Sequence, residues 1–362
     1  MHSLDLFLLR STDPANAVAL VKSGRHIAIE ALNLTSEVRE FAAMSTRVEE
    51  MSNGGARPTV AEIADMGTRL FDRIFTGRLR ELYIGLPRRG TVSIQVVTDE
   101  EDMVRIPWEF LAPPDCKPIP HLNRCVVRVP AMHSSPEFAT GRQRRALRVL
   151  LAVAEPPGPA AVGWEDIKAD MLDVFEAFIE DVAELTVMHA ASLPDLQKAL
   201  TRKQYDVLHF LGHGMLVDGV GSLVLINPKT GKELPVSGEQ FAGTVSNHGL
   251  RLCILSSCQS SDGRDKNSKF GTVANSLLTA GVPAVVANQA TIRTDSVAPF
   301  VAALYQELIV SGNIDTAVTA GRIALNGELR SSIPKDLEVV EWGIPTLYRL
   351  SGADQLFTPM KR

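Results

Sequence analysis

An α/β fold, with a mostly parallel sheet flanked by helices and an N-terminal α+β region, is what this sequence predicts. From Leu147 onward, short apolar runs alternate with amphipathic stretches of helical period, the rhythm of strands connected by crossover helices. Those runs are apolar on both faces (Leu147 to Ala154, Val282 to Ala287), as strands of a parallel sheet covered on both sides must be. Before residue 140 the pattern is less regular, mixing a helix of clear 3.6 period with two strand-like runs.

The 362 residues leave room for one large or two ordinary domains at roughly 150 residues each. Hydrophobic residues make up 45% and charged residues 22%, so an ordinary globular protein is expected and general disorder is excluded. A net charge of -5 without a basic stripe gives no reason to expect direct contact with nucleic acid. The apolar stretch Leu4 to Leu9 lacks the preceding basic segment and the following small-residue site of a signal peptide, and no later run is long enough to span a bilayer. A cytoplasmic protein without a membrane partner is expected. Four cysteines in such a chain do not make a disulfide framework. No period of 20 to 50 residues recurs.

In chain order, residues 1 to about 80 read as mostly helical and polar, with Ser52 to Gly55 as a loop. Glu62 to Phe75 forms an amphipathic helix with Ile63, Met66, Leu70 and Ile74 on one face. Thr91 to Thr98 and Met103 to Leu111 read as strands of a hairpin around the acidic turn Asp99 to Asp102. Val126 to Val129 is a further apolar strand. Ala131 to Arg145 turns polar and then basic, the composition of a linker, and divides the chain into regions 1–140 and 146–362. Beyond it, Leu147 to Ala154 and Val182 to His189 are strands around a helix from Trp164 to Ile179. Ser192 caps the next helix, with Asp195 three residues on, and that helix runs to about Lys203. Tyr205 to Leu211, Arg251 to Ser256 and Val282 to Ala287 are further strands. Helices are expected at Phe270 to Ala280, Asp295 to Val310 and Asp315 to Leu325.

Two strand ends carry chemistry, since working residues of such sheets sit at the carboxyl edge. His213 follows the run Val207 to Leu211 and lies between Gly212 and Gly214, which reads as a loop position. Cys258 follows Leu252 to Ser256 in small polar surroundings. Two core strands thus end at one edge in a His and a Cys, the pairing of a thiol nucleophile with its base. A free thiol is only slightly ionised near neutral pH, and a neighbouring imidazole takes its proton or stabilises the thiolate. The backbone N–H groups of Gly214 and Cys258 are the candidate donors to an oxyanion.

The motifs His209-Phe-Leu-Gly-His-Gly214 and Leu255-Ser-Ser-Cys-Gln-Ser260 resemble those of the CHAT domain, a caspase-like cysteine peptidase family related to separase. The resemblance extends through Phe270 to Ala280, Gly281 to Ala287, Asp295, Phe300, Tyr305 and Trp342 to Tyr348. Upstream, Ile106-Pro-Trp-Glu-Phe-Leu111 is similar to the family's Pro-Trp-Glu segment. Residues 80 to 350 are covered. It implies a caspase-like sheet, with His213 as catalytic base and acid and Cys258 as nucleophile. It also implies a protein substrate, a regulatory protein partner and a bacterial regulatory or antiphage setting; residues 1–140 become the regulatory or partner-binding part. The caspase signature Gln-Ala-Cys-x-Gly is absent, so cleavage after Asp is not implied. Where relatives often carry an aromatic before Asp295, this chain has Asn288 to Arg293.

Asp262 and Asp295 lie near the expected active edge and are candidates for binding a basic substrate side chain, although charged loop residues are usually just solvated. His209 and Cys253 lie within their strands and read as core. Cys116, His121, Cys125 and His133 include prolines and a strand rather than a paired knuckle, so no metal is expected. No phosphate-binding loop, nucleophile elbow or dinucleotide fingerprint is present, and no cofactor is expected. The basic run Arg142 to Arg148 reads as solvated linker, with a processing site as the alternative. The resulting reading is a His-Cys endopeptidase acting on a specific partner protein. Its rivals are an inactive scaffold that binds partners and an enzyme that processes only itself.

Overall fold

The computed structural model describes residues 2–10, 16–33, 40–41, 43–44, 59–98, 101–113, 123–130, 146–154, 169, 172–173, 176, 183–256, 269–289, 292, 294–332 and 341–359. Strands β1 (His2–Arg10), β2 (Asn16–Ser23) and β3 (His26–Asn33) open the chain. Helices α1 (Val60–Ile74) and α2 (Gly77–Ile84) precede β4 (Val92–Val97), and two short helical turns, Glu101–Val104 and Trp108–Phe110, lead to β5 (Arg124–Val129). Then come β6 (Leu147–Val153), β7 (Ala183–Met188), α3 (Leu193–Arg202), β8 (Val207–Leu211), β9 (His213–Val217), β10 (Val220–Ile226) and β11 (Glu233–Ser237). The remainder is α4 (Gly238–Val245), β12 (Leu252–Ser256), α5 (Lys269–Thr279), β13 (Ala284–Asn288), α6 (Thr294–Ser311), α7 (Ile314–Ser332) and β14 (Pro345–Arg349).

An eleven-stranded sheet of order β3-β2-β1-β4-β5-β14-β13-β12-β8-β6-β7 forms the backbone of the molecule, and β11-β10-β9 makes a separate three-stranded sheet. Pairing is antiparallel through β3, β2 and β1 and again between β13 and β14, and parallel elsewhere in the large sheet. The expected alternation after Leu147 is therefore borne out. Because β5 pairs with β14, one sheet runs from the N-terminal strands into the C-terminal ones. The linker Ala131 to Arg145 and nearly all of the helix expected at Trp164 to Ile179 lie outside the described residues.

Successive strand residues point to opposite faces. His209 reaches Tyr305 of α6, whereas Phe210 meets Phe241 of α4, so α6 and α4 cover opposite faces of the sheet. Both helices gain from burying these rings, each worth roughly 1.5–3 kcal/mol when fully withdrawn from water. The α1 helix has the expected inward face of Ile63, Met66, Leu70 and Ile74, and a capping box joins Thr59 to Glu62. Ser192 caps α3 by accepting from the Asp195 N–H.

Two expectations are overturned. The beginning of the chain is not helical but three-stranded: Leu4, Leu6 and Leu8 recur with period two and are fully buried on one face. Met103 to Leu111 is not a strand, and no hairpin joins it to β4, whose neighbours are β1 and β5. Pro107 has no N–H for a ladder. The Trp108 indole N–H instead donates to Met103 O at 2.8 Å, folding the segment back on itself. No helix among the described residues is long and apolar enough to cross a membrane.

Candidate active site

The strands β8 and β12 are parallel neighbours, with His209 beside Ile254 and Leu211 beside Ser256. Their carboxyl ends thus lie at one edge. The Gly212 N–H donates to Ser256 O at 3.2 Å and the Ala154 N–H to Leu211 O at 2.8 Å, which ties the ends of β6, β8 and β12 together. A Cβ on Gly212 would stand 2.5 Å from Phe210 Cζ and 3.2 Å from Ala154 Cβ. Only glycine lets the chain pass this close before it turns out of the large sheet.

His213 is not on a loop, as its glycine neighbours implied, but opens β9 opposite Val224 of β10. It is buried, 6% exposed, with Gly214 next along the strand opposite Leu223. The reason is the Asp218-Gly219 turn, with φ of 51° and 80°, which folds β9 back onto β10 as a hairpin and fixes the strand that His213 begins. Cys258 and Asp262 lie outside the described residues. Asp295 lies in the first turn of α6, and its side chain also lies outside them.

Beneath the edge is a polar cluster around His209, which is core as its place within the strand implied. His209, fully buried, has Nε2 2.9 Å from Ser256 Oγ and Nδ1 3.2 Å from Tyr305 Oη, its ring stacked on Tyr305 at 6.0 Å between centroids. Burial pulls this imidazole down to about 3, so it is neutral at physiological pH, and burial likewise pushes the Tyr305 hydroxyl well above its ordinary value. A neutral imidazole has one donor and one acceptor, so one of the two hydroxyls donates to His209 and the other accepts from it. The signal was a histidine within an otherwise apolar strand, which identifies a buried polar group but not its partners.

Cys253 and Cys125 are buried thiols, each pushed up to about 12 chiefly by burial, and neither is a nucleophile at neutral pH. Cys125 of β5 faces Arg322; Cys116, His121 and His133 lie outside the described residues. At the end of β13, Asn288 and Gln289 are nearly buried and place polar amides beside the edge. Glu341 accepts a short hydrogen bond from the Ser296 hydroxyl of α6.

Residues 64–347 match the CHAT domain family. The Saccharomyces cerevisiae separase–securin complex superimposes with a TM-score of 0.53 at 11% identity, covering 96% of this chain and 30% of the matched chain. A second structure of that complex gives the same values. Another structure, of a protein described as a protease, gives a TM-score of 0.51 at 12% identity, covering 90% of this chain and 76% of the other. This chain therefore spans under a third of the matched chain of the separase complex, and at these identities the likeness is one of fold. A comparison with curated proteins gives no match. With the family match extending from α1 into β14 over a mostly parallel sheet whose described helices flank it, the chain belongs to the CHAT domain family and has the caspase-like fold of separase.

Proposed function

We propose that this protein is a cysteine endopeptidase in which Cys258 is the nucleophile and His213 the base and acid. The observation that supports it best is the parallel pairing of β8 with β12, since His213 and Cys258 each follow one of these strands by two residues. Two residues span at most about 7 Å, a reach that supports reading Cys258 as part of the same edge. Burial disqualifies both Cys253 and Cys125, which leaves Cys258 and Cys116, and of these Cys258 is the one that follows β12 in the sequence.

In the proposed reaction His213 takes the thiol proton and the thiolate sulfur attacks the scissile carbonyl carbon. Negative charge gathers on the carbonyl oxygen and is met by the N–H groups of Gly214 and Cys258. The imidazolium then gives its proton to the leaving amine as the C–N bond breaks, forming a thioester. Water, deprotonated by His213, attacks the thioester, and the sulfur leaves with the proton restored. Asp262 and Asp295 are proposed to bind a basic side chain of the substrate.

The substrate is read as a specific protein rather than bulk polypeptide, cut in the cytoplasm of a bacterium in a regulatory or antiphage system. Activity is expected to be low until another component switches it on. The yeast separase structures hold a protein partner, securin, and by analogy residues 1–140 of this chain are proposed to receive a regulatory protein. The test is a search for new protein N-termini in a bacterial host expressing the wild type, Cys258→Ala or His213→Ala together with the neighbouring genes of the source genome. New termini that vanish in both variants support the peptidase. Termini that persist in Cys258→Ala, or wild type that makes none while binding its partner as a scaffold, overturn it.

A further inference from the structure

We propose that His209, Ser256 and Tyr305 form a positioning triad that holds the Cys258 thiol in register with His213; this rests on the peptidase reading above. Ser256 is the last residue of β12, two positions before the nucleophile, and it is held twice. Its carbonyl accepts from the N–H of Gly212, the residue before His213, at 3.2 Å. Its hydroxyl lies 2.9 Å from Nε2 of His209 on the neighbouring strand. His209 is in turn held at Nδ1 by Tyr305 of α6, 3.2 Å away, and none of the three side chains is more than 6% exposed.

A buried hydroxyl–imidazole–hydroxyl chain is costly unless all its members are satisfied, and an apolar trio would fill the space at lower risk. What the polar chain adds is direction. An apolar contact tolerates a slide of β12 against β8, whereas a hydrogen bond at each ring nitrogen admits one register. His213 and Cys258 each follow one of these two strands by two residues, so in the proposed site an error in the strands' relative height becomes an error in the sulfur–imidazole distance. Displacements of about 1 Å at reacting groups cost on the order of a hundredfold in rate. His209 does not itself exchange protons with substrate. It is enclosed in the core, and its imidazole stays neutral throughout the working pH range.

The experiment measures the rate of Cys258 alkylation by iodoacetamide in the full-length protein as a function of pH, located by peptide mass mapping. A thiol paired with an imidazole reacts with a midpoint below about 7.5, against about 8.5 for a free cysteine. His213→Ala is expected to move the midpoint to the free value. Ser256→Ala and Tyr305→Phe, each of which deletes one hydroxyl while keeping most of the packing, are expected to raise it by roughly one unit. Ser256→Thr, which keeps the hydroxyl, is expected to restore it. A purely structural role lowers the melting temperature of the two variants and leaves the midpoint where it was; that result overturns the triad while the His213 shift still upholds the dyad. A wild-type midpoint near 8.5, indifferent to His213→Ala, overturns the peptidase reading and the triad with it. Tyr305→Phe, whose ring is intact, decides the matter should Ser256→Ala not fold.

Discussion

Glu109 and Arg128 meet as a two-pronged ion pair inside the protein, Nε to Oε1 at 2.9 Å and Nη2 to Oε2 at 2.7 Å. Burial alone raises the Glu109 carboxyl, but the guanidinium beside it outweighs this and holds it below its ordinary range. Gln289, just past β13, donates to Glu109 Oε2 at 3.2 Å and accepts from Arg128 at 3.3 Å. The Pro-Trp-Glu segment is therefore a clasp. It joins the turn after β4 to β5 and to the strand end beside the candidate active edge.

Glu109→Gln keeps the shape and removes the charge, leaving Arg128 buried without its counterion. Breaking a buried pair from one side costs about 3–5 kcal/mol. Urea denaturation is expected to show that loss as a lower midpoint with an unchanged slope. Replacing both partners, as Glu109→Leu with Arg128→Met, is expected to recover much of it. A loss under about 1 kcal/mol in Glu109→Gln contradicts the clasp.

His209 makes stability depend on pH with a defined sign. The unfolded chain takes up a proton on this residue near 6.5, the folded protein only near 3, so between those values the unfolded state binds more protons. Stability is therefore full above about pH 6.5 and falls as the pH drops through the window, by up to about 1.4 kcal/mol per unit from this group. Urea midpoints at pH 7, 6 and 5 are expected to fall less steeply in His209→Gln than in wild type. Equal slopes would mean that the imidazole is not enclosed as the structure has it.

Much of the C-terminal half was legible because β6, β12 and β13 are dominated by apolar residues and because Ser192 and Asp195 mark the start of α3. The N-terminal strands were not, because their outward residues are apolar too. Leu9, Ile27 and Ile29 are exposed, so the period-two contrast that identifies β1 and β3 is blurred by side chains that face water. The hairpin β9–β10 has a local signal: Asp218-Gly219 between Val217 and Val220 is a strong short-range turn pair, and it makes His213 the start of a strand and not a loop residue. The positions of His213 and Cys258 after neighbouring strands followed from local pattern. The link from Ser256 through His209 to Tyr305 joins residues 96 apart in the chain, and no local pattern carries that information.

Two helical glycines separate close packing from mere flexibility. A Cβ on Gly67 of α1 would stand 2.1 Å from Phe110 O, a backbone atom that cannot swing away, so Gly67→Ala is expected to pry α1 from the Trp108–Phe110 turn and to destabilise by at least about 1–3 kcal/mol. Gly243 of α4 has nothing within 4 Å, so Gly243→Ala is expected to stabilise by about 0.5–1 kcal/mol through the entropy of the unfolded chain. Thermal melts of the two variants should move in opposite directions. A shared direction would contradict the docking of α1.

The buried thiols should be silent in the alkylation experiment. Cys253 and Cys125 are fully buried and pushed up to about 12, so at pH 8 on the order of one molecule in ten thousand carries a thiolate at either site. Burial also bars the reagent, and reaction then requires opening of β12 or β5, both of them central strands of the large sheet. Iodoacetamide at pH 8 is therefore expected to leave the peptides containing Cys253 and Cys125 unmodified in the native protein and to label both fully in 6 M guanidinium, a denaturing level for domains of ordinary stability, about twice a typical midpoint. Native labelling of Cys253 at a rate comparable to Cys258 would mean that β12 frays at its middle. The register on which the proposed pairing of His213 with Cys258 depends would then not be held.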